Sequence, residues 1–268
     1  MTPKLMIQRL HQVLEAQGTF AVAVSGGVDS MTLAYLAHRL LPESVSMYHA
    51  GSAAVPRDAA ERVRRYAHQE GWAMEWIDAA ELTDREYIRN PVNRCYYCKS
   101  CLYSTISSRT SASICSGTNI DDLSDYRPGL EAAKEHKVSH PYVEAGINKE
   151  GVRAVARSFG LDDLADLPAS PCLASRIETG ISIKRDDLEL VDRVENCIRS
   201  YLPSAEDVRC RVRPKSVEIE MNEQQLQDIG SIKTQGLLDY LYASFPELSG
   251  TAVRITPYCR GSGFIHVA

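Results

Sequence analysis

The sequence predicts an α/β fold, a parallel sheet with helices on both faces, followed by a small α+β domain. Apolar runs of strand length alternate with amphipathic helical stretches over the first two thirds of the chain. The first apolar run, Phe20 to Val24, leads directly into the glycine-bearing loop Ser25-Gly26-Gly27-Val28-Asp29-Ser30 and then into a helical pattern. After about Gly180 the alternation stops, and one long helix precedes a hairpin. Alternation of this kind implies right-handed crossovers between parallel strands, with ligands at the carboxyl ends of the strands.

The elements follow in order. Lys4 to Gln17 places Leu5, Ile7, Leu10, Val13 and Leu14 at helical spacing, and Gly18 closes that helix. After the first strand and loop, the pattern predicts a helix over Met31 to Leu41, a strand over Ser44 to His49, a helix over Arg57 to Gln69 closed by Gly71, and a strand over Trp72 to Ile77. Tyr96 to Arg109 reads as helix, Ser111 to Cys115 as a short strand, and Lys149 to Phe159 as an amphipathic helix stopped by Gly160. Beyond Gly180, Leu188, Val191, Val194, Ile198 and Leu202 line one face of a helix over Lys184 to Leu202. A hairpin follows, Val208 to Arg213 and Val217 to Met221, turning at Pro214-Lys215-Ser216. Helices around Glu223 to Asp228 and Gln235 to Ala243 and a strand near Thr251 to Ile255 complete the second domain. The boundary is expected near residue 183, giving domains 1–183 and 184–268.

With 268 residues, 44% hydrophobic and 24% charged, the chain has the composition of a soluble globular protein with a full core. The net charge of −5 argues against a general nucleic-acid surface. No apolar run approaches the roughly 18 residues of a membrane helix and no leader-like segment is visible, so a cytoplasmic protein is expected. Eight cysteines in such a chain read as metal, redox or catalytic candidates rather than as a disulfide framework.

The glycine loop carries the first chemistry. Gly26 and Gly27 permit backbone conformations that let successive N–H groups converge on an anion at a helix N-terminus, and Ser25 and Ser30 add hydroxyl donors. No Lys follows the second glycine, so the loop is not the one that grips the β and γ phosphates in P-loop NTPases. Asp29 stands in place of a cation, which suits Mg²⁺-bound pyrophosphate and cleavage of ATP between its α and β phosphates. The plain alternative is an ordinary glycine turn. Gly117-Thr118-Asn119-Ile120-Asp121-Asp122, followed by Asp125-Tyr126-Arg127-Pro128-Gly129, offers small, amide and acidic groups for nucleotide and Mg²⁺; by composition alone it is equally an ordinary loop.

Cys95 and Cys98 form a C-x-x-C pair within Asn90 to Lys99, and Cys172 lies in Ser170-Pro171-Cys172-Leu173-Ala174-Ser175-Arg176. Structural zinc takes four closed ligands, whereas three thiolates holding a four-iron cluster leave one iron open. A lone C-x-x-C is also consistent with half of a zinc site or a simple thiol pair. Cys101 repeats the same spacing and competes with Cys172 as third ligand. Cys115, Cys197, Cys210 and Cys259 read as packing residues. In the hairpin, Arg209, Arg211 and Arg213 alternate on one strand face and Glu218 and Glu220 on the returning strand. That pattern fits either a solvated face of cross-strand ion pairs or an anion site.

Together, Ser-Gly-Gly-Val-Asp-Ser, Asn-Pro-x-x-Arg-Cys-Tyr-x-Cys-Lys, Gly-Thr-Asn-x-Asp-Asp-x-x-Asp-Tyr-Arg-Pro-Gly and Ser-Pro-Cys-Leu-Ala-Ser-Arg resemble the LarE family of ATP-dependent sulfur transferases, within the PP-loop ATP pyrophosphatases. The resemblance spans about residues 4 to 260. It implies a Rossmann-like sheet of the adenine nucleotide alpha hydrolase-like kind. It also implies adenylation of a carboxylate of pyridinium-3,5-biscarboxylic acid mononucleotide, a small-molecule substrate, and its conversion to a thiocarboxylate for the nickel-pincer nucleotide, with AMP and pyrophosphate released. By resemblance, Gly26, Gly27, Asp29 and Ser30 match the pyrophosphate loop and Gly117, Thr118, Asn119 and Asp122 the second nucleotide segment. Cys172 matches the sulfur-bearing cysteine. With Cys95 and Cys98 present, the chain resembles the three-cysteine branch, in which these residues hold a [4Fe–4S] cluster. Glu195, Arg209 and Asp228 match residues near the sulfur site, and Arg211 is expected with Arg209 on a substrate or adenylate phosphate. The chain departs from the family pattern at Ser175 to Gly180 and at Pro214. The resemblance further implies a homo-oligomer, hexamers included. A tRNA-thiolating enzyme, an amide-forming ATP pyrophosphatase and a nucleotide-sensing zinc module are the rival readings.

Overall fold

The computed structural model describes residues 1–124, 126–203, 205 and 207–264; Asp125 of the second signature lies outside them. In chain order the elements begin with α1 (Pro3–Ala16), β1 (Phe20–Ala23), α2 (Val28–Leu40), β2 (Val45–Ala50), α3 (Arg57–Glu70), β3 (Met74–Ile77) and the short α4 (Arg85–Ile88). They continue with α5 (Arg94–Arg109), β4 (Ser113–Cys115), α6 (Pro128–Glu135), α7 (Pro141–Glu144), α8 (Lys149–Ser158) and α9 (Asp162–Ala165). Last come α10 (Arg185–Tyr201), β5 (Arg209–Val212), β6 (Ser216–Met221), α11 (Glu223–Ser244) and β7 (Ala252–Pro257). The chain divides into two compact units, Met1–Asp84 with Asn93–Pro171, and Arg85–Val92 with Cys172–Ala268.

In the first unit β1 to β4 form an all-parallel sheet of order β3-β2-β1-β4. The α/β expectation therefore holds. The pleat of β1 explains why its residues are all apolar: side chains alternate across the sheet, and both sides are covered. Phe20 and Val22 pack into one apolar cluster with Leu10 and Leu14 of α1, Met31 and Leu36 of α2 and Val152 and Val155 of α8. Ala21 and Ala23 pack into another with Tyr103 and Ile106 of α5 and Ala133 of α6. Each fully buried Leu, Met or Phe of these layers contributes about 1.5–3 kcal/mol.

Local chemistry sets the helix ends. Thr2 caps α1, with Pro3 inside its first turn. Gly71 closes α3 at φ +66°, and the Asn148 side chain accepts from Gly151 N–H at the start of α8. Pro128 and Gly129, read from the sequence as the end of a polar loop, instead open helix α6, with Pro128 at its first position.

The second unit holds a three-stranded sheet of order β5-β6-β7, with β5 and β6 antiparallel and β6 and β7 parallel. Buried Leu188, Val191, Val194 and Ile198 form the apolar stripe of α10. The two helices expected after Met221 both lie within α11, where Gly230, at φ +66° and ψ 173°, breaks the helical backbone between them. Residues 172–183 group with this unit rather than with the first, as does 85–92. Buried Asn90 links the two segments: its amide donates to the carbonyls of Ile177, Glu178 and Ile181 at 3.4, 2.9 and 2.9 Å.

Candidate active site

In the sheet order β3-β2-β1-β4, the strands are all parallel, but successive strands are added on one side of β1 up to β3 and then on its other side at β4. The crevice at the carboxyl ends of β1 and β4 is therefore the topological switch point where ligands bind in such sheets. The loops leaving these two strands are the two polar signatures. Gly26 has φ +84°, and a Cβ there would lie 2.6 Å from the Ala59 carbonyl oxygen, so only glycine fits. Ser30 Oγ accepts from Ser25 N–H at 3.0 Å and lies 3.0 Å from Ser25 Oγ, closing the loop on itself. Arg62 from α3 donates to the Gly26 carbonyl at 2.7 Å. Burial pulls its guanidinium below the ordinary arginine range, though the chemistry keeps it cationic.

The second loop packs directly on the first. A Cβ on Gly117 would stand 2.7 Å from Ser30 N and 2.9 Å from the Asp29 carbonyl carbon. Asn119 donates to Asp29 Oδ1 at 3.2 Å, and Lys149, at the start of α8, reaches Asp29 Oδ2 at 2.5 Å. Tyr142 O–H donates to the Asp29 carbonyl at 3.2 Å. The acids of this loop act as caps and clamps. Asp122 accepts from Asn119 N–H at 3.1 Å and pairs with Arg127 at 2.7 Å, while Asp121 accepts from Lys149 N–H at 3.0 Å. Thr118 Oγ1 lies 2.9 Å from Ser116 Oγ, which lies 2.8 Å from His140 Nδ1. Burial lowers the His140 pKa, favouring the neutral ring.

All eight cysteines are free thiols. Cys95 and Cys98 sit in the first turns of α5, half-buried and one turn apart, so their Cβ atoms are separated by roughly 5–6 Å. Cys101 follows on the same helix with its thiol 3.8 Å from Asp84 Oδ2; burial and the Asp84 carboxylate push its pKa up. Cys172 is exposed at the start of a turn of 3₁₀ helix, Leu173–Arg176, in the second unit. Accessible thiols suit the donor chemistry of an iron–sulfur cluster. Among the described residues, however, no three Cys, His, Asp or Glu side chains are gathered as a metal set.

No family model matches the chain. The protein slr1717 of Synechocystis sp., itself uncharacterized, is 33% identical over 243 residues, which cover 89% of this chain and 90% of the relative. The chain belongs to the slr1717 family. An uncharacterized protein of Methanocaldococcus jannaschii, MJ0830, is 29% identical over 137 residues, half of each chain. The pyridinium-3,5-bisthiocarboxylic acid mononucleotide synthase of Lactiplantibacillus plantarum is 29% identical over 213 residues, covering 77% of this chain and 76% of that enzyme.

In this slr1717-family chain the arginines of the second unit's hairpin are largely buried and held in ion pairs, with Arg213 partly open to solvent. Arg211 Nε donates to Glu220 at 2.9 Å with both side chains buried, and Arg213 is held by Glu218 at 2.8 Å and by Glu178 at 3.1 Å. Arg209 is 7% exposed, lies over the Tyr258 ring, donates to the Val208 carbonyl at 2.9 Å and pairs with Asp207 at 3.7 Å. Burial and the neighbouring Arg176 both pull its pKa down. Glu195 lies beneath the cysteine loop, bonded to Arg176, which in turn donates to the Cys172 carbonyl at 3.2 Å. The structure thus ties the backbone of exposed Cys172 to the buried Arg176–Glu195 pair, whereas Asp228 is exposed on α11 and accepts from Gln224. Cys115 and Cys210 are core thiols as expected, but Cys197 is only partly buried and Cys259 is exposed because it lies in the turn after β7. The residues that sequence reasoning missed are Lys149, Arg62 and Tyr142. Asn148 signals the helix start beside Lys149, but nothing local aims that side chain at Asp29.

Proposed function

We propose that this chain is an ATP-dependent sulfur transferase that adenylates a carboxylate and converts it to a thiocarboxylate, with pyridinium-3,5-biscarboxylic acid mononucleotide as substrate. The observation that carries this reading is the meeting of Asp29 and Asn119 at the switch point of the sheet. The synthase of Lactiplantibacillus plantarum, similar over most of both chains, supports the substrate class. The site gathers hydrogen-bond donors suited to phosphate, which fits a substrate carboxylate as the attacking group.

In this mechanism Mg·ATP lies on Ser25, Gly26, Gly27, Asp29 and Ser30, with Gly117, Thr118, Asn119 and Asp122 closing the other side. The substrate carboxylate attacks the α-phosphorus in line, and the bond to the pyrophosphate oxygen breaks. Backbone N–H groups and Mg²⁺ stabilise the charge on departing pyrophosphate. A sulfur nucleophile then attacks the acyl carbonyl, AMP leaves, and the thiocarboxylate remains. Cys172 would help to present that sulfur at the sulfide level while keeping its own Cβ–S bond, with Arg176 and Glu195 fixing its loop and Arg209 proposed to meet a phosphate. A [4Fe–4S] cluster on Cys95, Cys98 and Cys172, when bound, supplies reactive sulfur.

The test is carboxylate-dependent release of pyrophosphate and AMP from ATP, with iron and sulfide content of anaerobically purified protein. A colourless, zinc-loaded protein that releases no pyrophosphate would sink the reading in favour of a nucleotide sensor. Tight tRNA binding at moderate salt would favour tRNA thiolation.

A further inference from the structure

The glycine loop lacks the lysine that ordinarily follows a phosphate-binding glycine, yet a lysine stands at the loop. Lys149 comes from a helix 120 residues away and places Nζ 2.5 Å from Asp29 Oδ2, with the two side chains 36% and 24% exposed. It is fixed from several directions. Its own N–H bonds to Asp121, Asn148 caps its helix, and Ile120 N–H bonds to the Ile147 carbonyl, tying the second loop to the start of α8. Asp29 meanwhile spends its other oxygen on Asn119. The carboxylate that is read as serving the metal is therefore paired with an ammonium, beside the glycine loop.

A compact ammonium on a flexible stem grips phosphate as a point charge, and it exchanges one anionic partner for another at little cost where water reaches both. We infer that Lys149 is the phosphate-binding cation of this site, stored on Asp29 while the loop is empty. When Mg·ATP enters, Nζ passes from Asp29 to the oxygens of the β and γ phosphates, and the vacated Asp29 oxygen faces Mg²⁺. The lysine missing from the loop is thus supplied by tertiary structure, and one ion pair keeps both partners in place until the nucleotide separates them. The inference rests on the reading of the loop as an ATP site.

Calorimetric titration of the full chain with inorganic pyrophosphate, first in chelator and then with Mg²⁺, tests it. Lys149→Met should weaken pyrophosphate binding by roughly ten- to a hundredfold, the range for a hydrogen bond to a charged group, and Lys149→Arg should retain most of it. Asp29→Asn, which frees the lysine, should tighten metal-free binding while abolishing the gain from Mg²⁺. A merely structural ion pair predicts the opposite for Asp29→Asn, a loss in both conditions, and that result would overturn the assignment. So would pyrophosphate binding by Lys149→Met equal to that of the parent. If the parent protein binds neither pyrophosphate nor ATP, the ATP reading itself falls; if it releases pyrophosphate normally and Lys149→Met does so with unchanged kcat/KM, only the lysine assignment falls.

Discussion

The Glu195 carboxylate accepts from Arg176 through both of its oxygens, at 2.8 and 3.0 Å, with each side chain 2% exposed. Cys210 N–H and Arg199 complete its shell, each at 3.0 Å. Burial alone would push this carboxyl up, but the Arg176 guanidinium overrides it and holds the pKa below the usual value. Its contribution to stability is therefore present above the unfolded-state pKa and lost as pH falls through the lower, folded one. Glu195→Ala leaves Arg176 buried without its partner and should cost about 3–5 kcal/mol in urea unfolding. Glu195→Gln should also flatten the acid limb of the stability–pH profile, and an unchanged limb would argue against this pairing.

Gly117 has no room for a side chain against Ser30 N. Because the contact is backbone on backbone, Gly117→Ala must push the glycine loop and the second loop apart, at a cost of about 1–3 kcal/mol, typical of overpacking. Pyrophosphate release should fall more steeply than Tm, since the strain lies in the site. Full activity in Gly117→Ala would mean that the second loop takes no part in binding.

The two half-reactions should separate by mutation. Cys172→Ser should stop thiocarboxylate formation while carboxylate-dependent pyrophosphate release continues, because adenylation draws on the loops of the first unit. Cys95→Ser and Cys98→Ser should each lower bound iron and sulfide after anaerobic reconstitution. A Cys172→Ser protein that kept a full four-iron cluster and transferred sulfur at the parent rate would defeat the cysteine assignment.

Thiol reactivity should sort by position in the fold. Cys172 and Cys259 are exposed and should label first under native conditions. Burial pushes the Cys115 thiol up to about 12 and raises Cys210 further, so both should label only through unfolding, with rates that rise in denaturant. Rapid native labelling of Cys210 would contradict the packing around Glu195.

The local grammar of the chain was legible. Phe20 to Val24 announced a buried strand, Gly71 and Gly160 ended helices, and the hairpin turned at Pro214 and Lys215, with Ser216, expected in the turn, already opening β6. What misled was also local: Pro128 and Gly129 read as the end of a polar loop, yet Pro128 opens helix α6, its fixed φ suiting the first helical turn; the break at Gly230, by contrast, separates the two helices expected after Met221. The arginine hairpin was ambiguous for a different reason. Alternation puts Arg211 and Arg213 on one strand face, but whether that face meets water or Glu178 and Glu220 depends on what packs over it.

The sequence by itself determined the strand–loop–helix unit, the glycines its backbone needs and the spacing that puts Cys95 and Cys98 one helical turn apart. These are relations between residues a few positions apart, set by backbone geometry and steric allowance. Tertiary structure alone decided that Asn119 and Lys149 meet at Asp29, that Gly117 lies on Ser30 and that Glu195 is closed off by Arg176. The sheet order sets β1 beside β4 and so brings together loops about ninety residues apart in sequence, a relation that no periodicity within either loop encodes.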